Sequence, residues 1–286
     1  MTNAPDSWSP ADNPYAIAVS EAYWWLQCVE LNEARIHEDD DPRTAFSSRQ
    51  IDARQLVVAL WELCMAEKLQ QTALRELKME LAVIAELSRA RVAFDEAVPG
   101  LQQMRNGLLH FDQWTRGVGE GPQKKEVKAG ADPRLVASKY SRFGYDPAND
   151  EVEFGPYSFR VATAVEAAKD LVRAIHRAAQ AVDLRAAAEL RTRTIAAMTA
   201  SSIQTEGTIR VSTGVDTRVW VSLAATAPET NREVLAEQVI GVLVEAGLRL
   251  VSSMEPQSDN PAERLRSGES LCVESVDSTP RPEIAK

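Results

Sequence analysis

The stretch that decides the fold reads Met104-Arg105-Asn106-Gly107-Leu108-Leu109-His110-Phe111-Asp112. Its polar residues follow the pattern Arg-Asn-x-x-x-His, and its apolar residues recur at the spacing of one helix face. The chain has only three histidines. A histidine held one turn after an Arg-Asn pair is therefore the first candidate for chemistry, and we expect a helix to carry it.

A helical wheel over residues 101–114 divides the stretch into two faces. One apolar stripe is expected to pack on the core and consists of Leu101, Met104, Leu108 and Phe111. Asn106 and His110 lie four residues apart and share the opposite face. Gly107 is expected away from the core stripe, where another backbone can approach it. Leu109 and Trp114 lie outside the stripe, which indicates a second covered face and suits a helix from a second subunit.

The motif Arg105-Asn106-x-x-x-His110 resembles the signature of the HEPN superfamily, a helical domain found in higher eukaryotes and prokaryotes. Many members of that family are metal-independent ribonucleases. The resemblance covers about residues 14–184. It implies a helical bundle that acts as a homodimer, with two motif copies meeting at the interface. It implies no metal and no cofactor, and the placement of His and Cys residues suggests no metal site either.

The same three residues suit RNA cleavage by the 2′-hydroxyl group. Histidine titrates near neutral pH, so His110 can act as general base or acid. Arg105 stays charged and offers a planar fork to phosphate oxygens. Asn106 can position the imidazole or bind the phosphate. The resemblance assigns these catalytic roles and implies products with a 2′,3′-cyclic phosphate and a 5′-hydroxyl.

Helices are predicted through most of the first 184 residues. Asn13-Pro14 begins a helix that runs to about Arg35. From Ser48 to Val98 no Pro or Gly interrupts the chain, so we expect two helices with a break between them. Pro99 is the expected first residue of the motif helix. Beyond it we expect a flexible loop at 117–122, a β-hairpin formed by 143–145 and 152–154, and an amphipathic helix over 160–182.

A second unit follows a change in composition near residues 185–206, which are rich in Ala, Thr and Ser. Strands are predicted at 208–212, 218–223 and 248–252, with a helix between the last two. After Met254 the chain is polar and is predicted to be disordered, apart from a short strand over 271–273. The predicted fold is mainly α. A HEPN-like helical bundle with a small β-hairpin (14–184) precedes a small α+β module (205–253) and a disordered tail (254–286).

Basic side chains are concentrated directly after the motif. Residues 116–142 hold seven basic and three acidic residues, a net charge of +4 within a chain of −10. Tyr140, Phe143 and Tyr145 lie at the end of this segment. Basic groups beside aromatic rings suit single-stranded nucleic acid, and the candidate RNA contacts are Lys124, Lys125, Lys128 and Arg142. A solvated loop leading into the hairpin explains the same pattern.

The bulk properties limit the classes of protein to consider. The overall charge of −10 argues against unspecific coating of nucleic acid. No stretch approaches the roughly 20 apolar residues that span a membrane, and residues 1–6 do not resemble a signal peptide. Cys28, Cys64 and Cys272 are widely spaced and predict no disulfide framework, which favours a reducing cytoplasm. His37 and His176 are expected to be surface residues.

Together these features predict a cytoplasmic, metal-independent endoribonuclease that acts on RNA as a homodimer. A role as a toxin or in phage defence fits the family, with an antitoxin or regulatory protein as a further partner. The alternative is a non-catalytic helical adaptor that uses the motif as a hydrogen-bond network at a dimer interface. A third reading is a ribonuclease held silent by a partner.

Overall fold

The computed structural model describes residues 9–201, 203, 209–214, 217–224, 231–251 and 260–276. The fold is mainly α with small antiparallel sheets, as predicted. The chain divides into two compact units, one spanning Pro10–Gln180 and one that begins at Ala181. Within the described ranges, no helix is both long and apolar enough to cross a membrane.

Seven helices of the first unit precede its sheet in the described chain. They are α1 (Pro14–His37), α2 (Ser48–Glu76), α3 (Leu81–Ala97), α4 (Leu101–Leu109), α5 (Phe111–Trp114), α6 (Pro122–Lys128) and α7 (Pro133–Lys139). The predicted break between residues 48 and 98 is confirmed, because α2 and α3 are separate helices. Lys78 lies in the turn between them with φ of +52°. A left-handed Lys is hard to foresee, since Gly or Asn is the usual residue there.

In the core of the first unit, α1 and α2 pack extensively on each other. Small side chains at Ala18 and Ala22 lie on the buried face of α1 and allow close approach. Facing positions of α2 hold Leu56, Leu60 and Leu63, all fully buried. Burial of each leucine stabilises the fold by about 1.5–3 kcal/mol. Helix α2 is thereby a rigid support for the elements that follow it.

A three-stranded antiparallel sheet follows α7. It consists of β1 (Phe143–Asp146), β2 (Glu151–Phe154) and β3 (Tyr157–Arg160), paired in that order. Phe143 lies opposite Phe154, and Val152 lies opposite Phe159. The predicted hairpin of β1 and β2 is confirmed, and β3 extends it. Phe154 and Phe159 are buried, so the sheet contributes rings to the core of this unit.

Helix α8 (Val161–Ala200) begins in the first unit and ends in the second. The sequence predicts its end near residue 182, yet the helix continues for another 18 residues. The continuation is rich in Ala, Arg and Leu, which are strong helix formers. The change in composition near residue 185 therefore marks no end of the helix.

The second unit contains a four-stranded antiparallel sheet and two helices. Its elements are β4 (Ile209–Thr213), β5 (Val219–Leu223), α9 (Arg232–Glu245), β6 (Leu248–Val251), α10 (Pro261–Arg266) and β7 (Leu271–Ser275). The strand order is β4-β5-β7-β6. One sheet face joins Val221 and Val273 to Val239 and Leu243 of α9 in a buried cluster.

The predicted disorder after Met254 is wrong for α10, whereas the predicted short strand over 271–273 is confirmed as β7. Asn260 caps α10 by accepting a hydrogen bond from the Ala262 N–H at 3.0 Å. Strand β7 lies between β5 and β6, and Leu271 and Val273 are buried in the sheet. Polar composition concealed α10 because this helix has only six residues and is followed by Ser, Gly and a charged residue. Residues 252–259 and 277–286 lie outside the described part of the chain.

Candidate active site at Arg105, Asn106 and His110

The helix that carries the motif begins at Leu101, two residues later than predicted. Pro99 precedes it, and Gly100 forms its N-cap with φ of +77°. A Cβ atom at Gly100 would lie 2.2 Å from Cδ1 of Tyr157. Both the left-handed backbone and the packed ring therefore require glycine at this turn. Tyr157 in β3 thus fixes where the motif helix starts.

The motif helix ends at Leu109, so the predicted continuous helix through Trp114 is interrupted at His110. His110 adopts φ of −114° and ψ of 42°, outside the helical region. Its N–H still donates to the carbonyl of Asn106 at 2.9 Å, and its carbonyl accepts from the N–H of Trp114 at 3.1 Å. His110 therefore stays one turn after Asn106, but the side chains that follow change direction.

This interruption overturns part of the predicted wheel. Met104 is fully buried as expected, whereas Phe111 is 69% exposed and Trp114 is only 3% exposed. Gly107 is also buried, and a Cβ atom there would lie 2.2 Å from Cζ of Phe154. An aromatic ring of β2, and not a second backbone, therefore occupies the space that Gly107 leaves. The predicted core stripe holds only up to Leu108, which is half-buried.

Arg105 is held from two sides. Its Nη1 atom donates to Oδ1 of Asn106 at 3.1 Å. Its Cζ atom lies 5.8 Å from the ring centroid of Trp61 in α2, a distance at which a cation is attracted to a ring face. Its Nε atom is buried, and among the described residues no acceptor binds it. A buried donor without a partner is costly, and because this atom has almost no accessible surface, a ligand reaches it only if neighbouring groups move.

His110 is exposed. Within the described residues, no hydrogen bond from another side chain reaches its imidazole. Asn106 Oδ1 accepts from Arg105, so in this arrangement the amide orients the guanidinium. The motif thus places one constrained cation and one freely rotating titratable group within about one helical turn.

A pocket that the sequence did not predict lies beside the motif helix. Its volume is about 190 Å³, and Gly107 and Leu108 of α4 form one wall. The other walls combine α5, the N-terminal half of α2 and the first two strands. They are formed by Arg54, Phe111, Trp114, Thr115, Tyr140, Ser141, Phe143 and Phe154. Long-range packing of rings more than 30 residues apart creates this pocket, so periodicity carries no signal for it.

The basic segment forms two short helices, α6 and α7, and not the solvated loop that the sequence also allows. Lys124 is paired with Glu120, four residues away. Lys125, Lys128 and Arg142 are exposed and form no ion pair with any described residue. Three of the four candidate RNA contacts are therefore available cations, whereas Lys124 is partly neutralised.

One salt bridge links the two basic helices. Lys139 of α7 donates to Glu126 of α6 at 2.7 Å, and the Tyr140 hydroxyl donates to the same oxygen at 2.7 Å. These hydrogen bonds lower the pKa of Glu126, the one from Lys139 contributing most. Burial, together with that carboxylate, raises the pKa of Tyr140. Tyr140 is therefore a neutral donor that links α6 to the end of α7.

The glycine-rich segment 117–122 is also more ordered than predicted. The Gln123 side chain is fully buried. Its Oε1 accepts from the N–H of Gly119 at 2.8 Å, and its Nε2 donates to the carbonyl of Trp114 at 3.1 Å. One glutamine thus closes the loop onto the end of α5. A buried glutamine has no distinctive sequence pattern, which is why the loop was expected to be flexible.

His37 has a contact that the sequence could not indicate. Its Nε2 lies 2.8 Å from Oδ1 of Asp150, and the Tyr145 hydroxyl donates to the same oxygen at 3.0 Å. Asp150 is 113 residues away in the chain. The pair joins the end of α1 to the hairpin turn, so His37 is a surface residue with a structural contact.

No cluster of three or more His, Cys, Asp or Glu side chains suited to a metal ion occurs among the described residues. Comparison of the chain with protein-family models, with curated proteins and with solved structures gives no match. The HEPN assignment therefore remains a prediction that depends on Arg105, Asn106 and His110 and on the helical setting around them.

Proposed function

We propose that this chain is a metal-independent endoribonuclease of the HEPN type. His110 takes the proton from the RNA 2′-hydroxyl, whose oxygen bonds to phosphorus, or gives a proton to the 5′-oxygen, whose bond to phosphorus breaks, and Arg105 binds the phosphate as negative charge develops. Asn106 positions the guanidinium. The observation that carries the proposal is the placement of Arg105, held by Trp61 and Asn106, within about one helical turn of the exposed His110. The guanidinium offers a planar fork to phosphate oxygens.

The surroundings of the motif support the same chemistry. Trp61 contacts the Arg105 guanidinium, so the charged group is held before substrate arrives. His110 is exposed and can reach a bound phosphodiester. Lys125, Lys128 and Arg142 supply exposed positive charge in the segment that follows the motif. RNA binding by this segment would weaken as salt rises.

The proposal includes a homodimer in a reducing cytoplasm, in which two motif copies meet. Leu109 directly precedes His110 and is 50% exposed, which leaves apolar surface for a second copy to cover. The three cysteines are unpaired, as expected in a reducing compartment. An antitoxin or regulatory protein, in a toxin or phage-defence setting, is a further partner proposed from the resemblance.

The test is RNA cleavage by the full chain with EDTA present, comparing the wild type with His110→Ala. His176→Ala is the matched control, because His176 is an exposed histidine of α8 outside the motif. We expect cleavage by the wild type and by the control, loss of cleavage in His110→Ala, and products with cyclic phosphate ends. Equal cleavage by both histidine variants would exclude His110 from the reaction.

A second substitution tests whether Arg105 acts through its planar fork or through its charge alone. Arg105→Lys keeps the cation but loses the planar fork and the Nε donor. We expect a strong loss of cleavage with little change in RNA affinity at low salt.

The adaptor alternative gains support from the exposed Leu109 and Phe111. It predicts a stable dimer that cleaves none of a varied set of RNAs and dissociates when Leu109 is replaced by Asp.

A further inference from the structure

The pocket beside the motif helix has walls of two kinds. Trp114 and Phe154 are almost fully buried, and their ring centroids lie 5.7 Å apart. Phe111 lines the same pocket but is 69% exposed. A large ring with an uncovered face beside a packed aromatic cluster is a platform on which a flat ligand can stack.

Arg54 supplies a positive charge and a planar group to the pocket. Its Cζ atom lies 5.1 Å from the ring centroid of Phe143, and both residues line the pocket. A guanidinium stacked on a ring forms a second flat surface, and Arg planes stack on nucleobases. The pocket thus combines an aromatic platform with a cationic one, a pairing typical of single-strand binding proteins.

Two hydroxyl groups at the pocket use their protons internally. Thr115 Oγ1 donates to the carbonyl of Phe111, and Ser141 Oγ donates to the carbonyl of Ser138 at 3.2 Å. Each oxygen keeps lone pairs that can accept a further hydrogen bond. A ligand that brings N–H donors at its edge, such as a base with a ring N–H or an amino group, matches these acceptors.

The location connects the pocket to the motif. Gly107 and Leu108 form one wall and directly follow Arg105 and Asn106 in α4. Arg142, an exposed cation, is the neighbour of Ser141 in the chain. A nucleotide with its phosphate at the motif can therefore direct an adjacent base into the pocket.

We propose that this pocket is a subsite for one unstacked nucleobase of single-stranded RNA, held against Phe111 and Arg54. The inference rests on the proposed function and deepens it by assigning recognition of a base next to the reacting phosphate. A side chain from a second copy is the competing occupant. The lone pairs and the guanidinium of the pocket favour the base, because an apolar side chain would leave them unpaired.

The experiment uses the full chain and a short 2′-O-methyl RNA that contains one 2-aminopurine. The methyl group blocks attack by the 2′-oxygen, so binding is measured without cleavage. Fluorescence anisotropy reports affinity, and quenching of 2-aminopurine reports stacking. The variants are Phe111→Leu, Phe111→Tyr and Arg54→Ala. Leu135→Ala is the control, because Leu135 is 71% exposed on α7 and does not line the pocket.

We expect quenching by the wild type, by Phe111→Tyr and by the control. Phe111→Leu should weaken binding by about five- to a hundredfold and abolish quenching, since loss of one base-stacking ring has an effect of this size. Arg54→Ala should weaken both signals. Affinity and quenching that are the same for Phe111→Leu and for Leu135→Ala would overturn the subsite. Dissociation of a dimer by Phe111→Leu without a change in oligonucleotide binding would also overturn it and assign the pocket to a second copy.

Cleavage of unmodified RNA separates the two proposals. If RNA is cut by a His110-dependent reaction while Phe111→Leu changes neither binding nor the KM for cleavage, the base subsite fails and the ribonuclease stands. If the 2′-O-methyl RNA binds through Phe111 but no unmodified RNA is cut, the subsite stands and the ribonuclease fails.

Discussion

Replacement of Gly107 by Ala tests the packing of the motif helix on the sheet. Two effects of opposite sign act at this position. Alanine favours a helix over glycine by about 1 kcal/mol. Against this, the added Cβ atom would lie 2.2 Å from Cζ and 2.4 Å from Cε1 of Phe154. Carbon atoms in contact prefer about 3.5–4.0 Å, so the ring must retreat by about 1.3 Å or more.

The Phe154 ring lines the pocket but is packed against two neighbouring rings. It is 4% exposed, and the ring centroids of Trp114 and Phe143 lie 5.7 and 6.4 Å away. Overpacking of this kind costs about 1–3 kcal/mol. We expect Gly107→Ala to lower the free energy of unfolding of the first unit by up to about 2 kcal/mol after the helix term is included.

Gly241→Ala is the matched control. Gly241 lies inside α9, and a Cβ atom there meets nothing within 4 Å. This substitution should therefore stabilise its unit by about 0.5–1 kcal/mol. Denaturant unfolding followed by hydrogen exchange and mass spectrometry reads each unit through its own peptides. If Gly107→Ala stabilises α4 as much as Gly241→Ala stabilises α9, the ring does not occupy the space beside Gly107 and the reasoning is wrong.

Three further predictions concern buried polar and thiol groups. Burial raises the pKa of Glu67 despite its 3.2 Å contact with Arg91. The free energy of unfolding of Glu67→Gln, relative to that of the wild type, should therefore increase as the pH rises from the ordinary carboxyl pKa through the raised pKa of Glu67. Gln123→Ala should cost about 1–3 kcal/mol, because it removes the acceptor of a buried N–H. Burial also raises the pKa of Cys64 to about 12, so a thiol reagent at pH 8 should label half-buried Cys28 well before Cys64.

Each of these predictions has a direct control. In the first prediction, the raised carboxyl pKa means that the folded wild type binds the proton more tightly than the unfolded chain does. This contribution to stability disappears once Glu67 ionises. A pH-independent difference between Glu67→Gln and the wild type would contradict it. Gln113→Ala, at an exposed neighbouring position, should change stability little, and a similar loss for both glutamines would contradict the second. Equal labelling rates for Cys28 and Cys64 in the native state would contradict the third.

The elements that the sequence predicted correctly are those with a local signal. Asn13-Pro14 marks the start of α1, and alternation around residues 147–150 marks the hairpin of β1 and β2. Helix α10 was not predicted and lacks such a signal, because it has only six residues. Strand β7 was predicted only over 271–273, and pairing with β6 extends it to Ser275.

The candidate site was predictable at the level of residue types and not at the level of contacts. The spacing of Arg105, Asn106 and His110 is visible in the sequence, and their closeness follows from one helical turn. The interruption at His110 is not visible, because Leu-Leu-His-Phe contains no residue that breaks a helix. As a result the sequence predicted Phe111 on the core side and Trp114 outside it, the reverse of the structure. The pocket that both residues line was not predicted.

The order of the strands in the second unit affects how the protein is made. The ribosome synthesises β7 last, yet β7 lies between β5 and β6 in the sheet. At about 5–20 residues per second, roughly 5–20 s separate the synthesis of Gln180 from that of Ser275. The first unit can fold on the nascent chain during this interval, whereas β5 and β6 cannot pair with β7 until it has been synthesised. A chain cut short before residue 271 would lose a central strand of the sheet, so premature termination or terminal proteolysis would destabilise this unit as a whole.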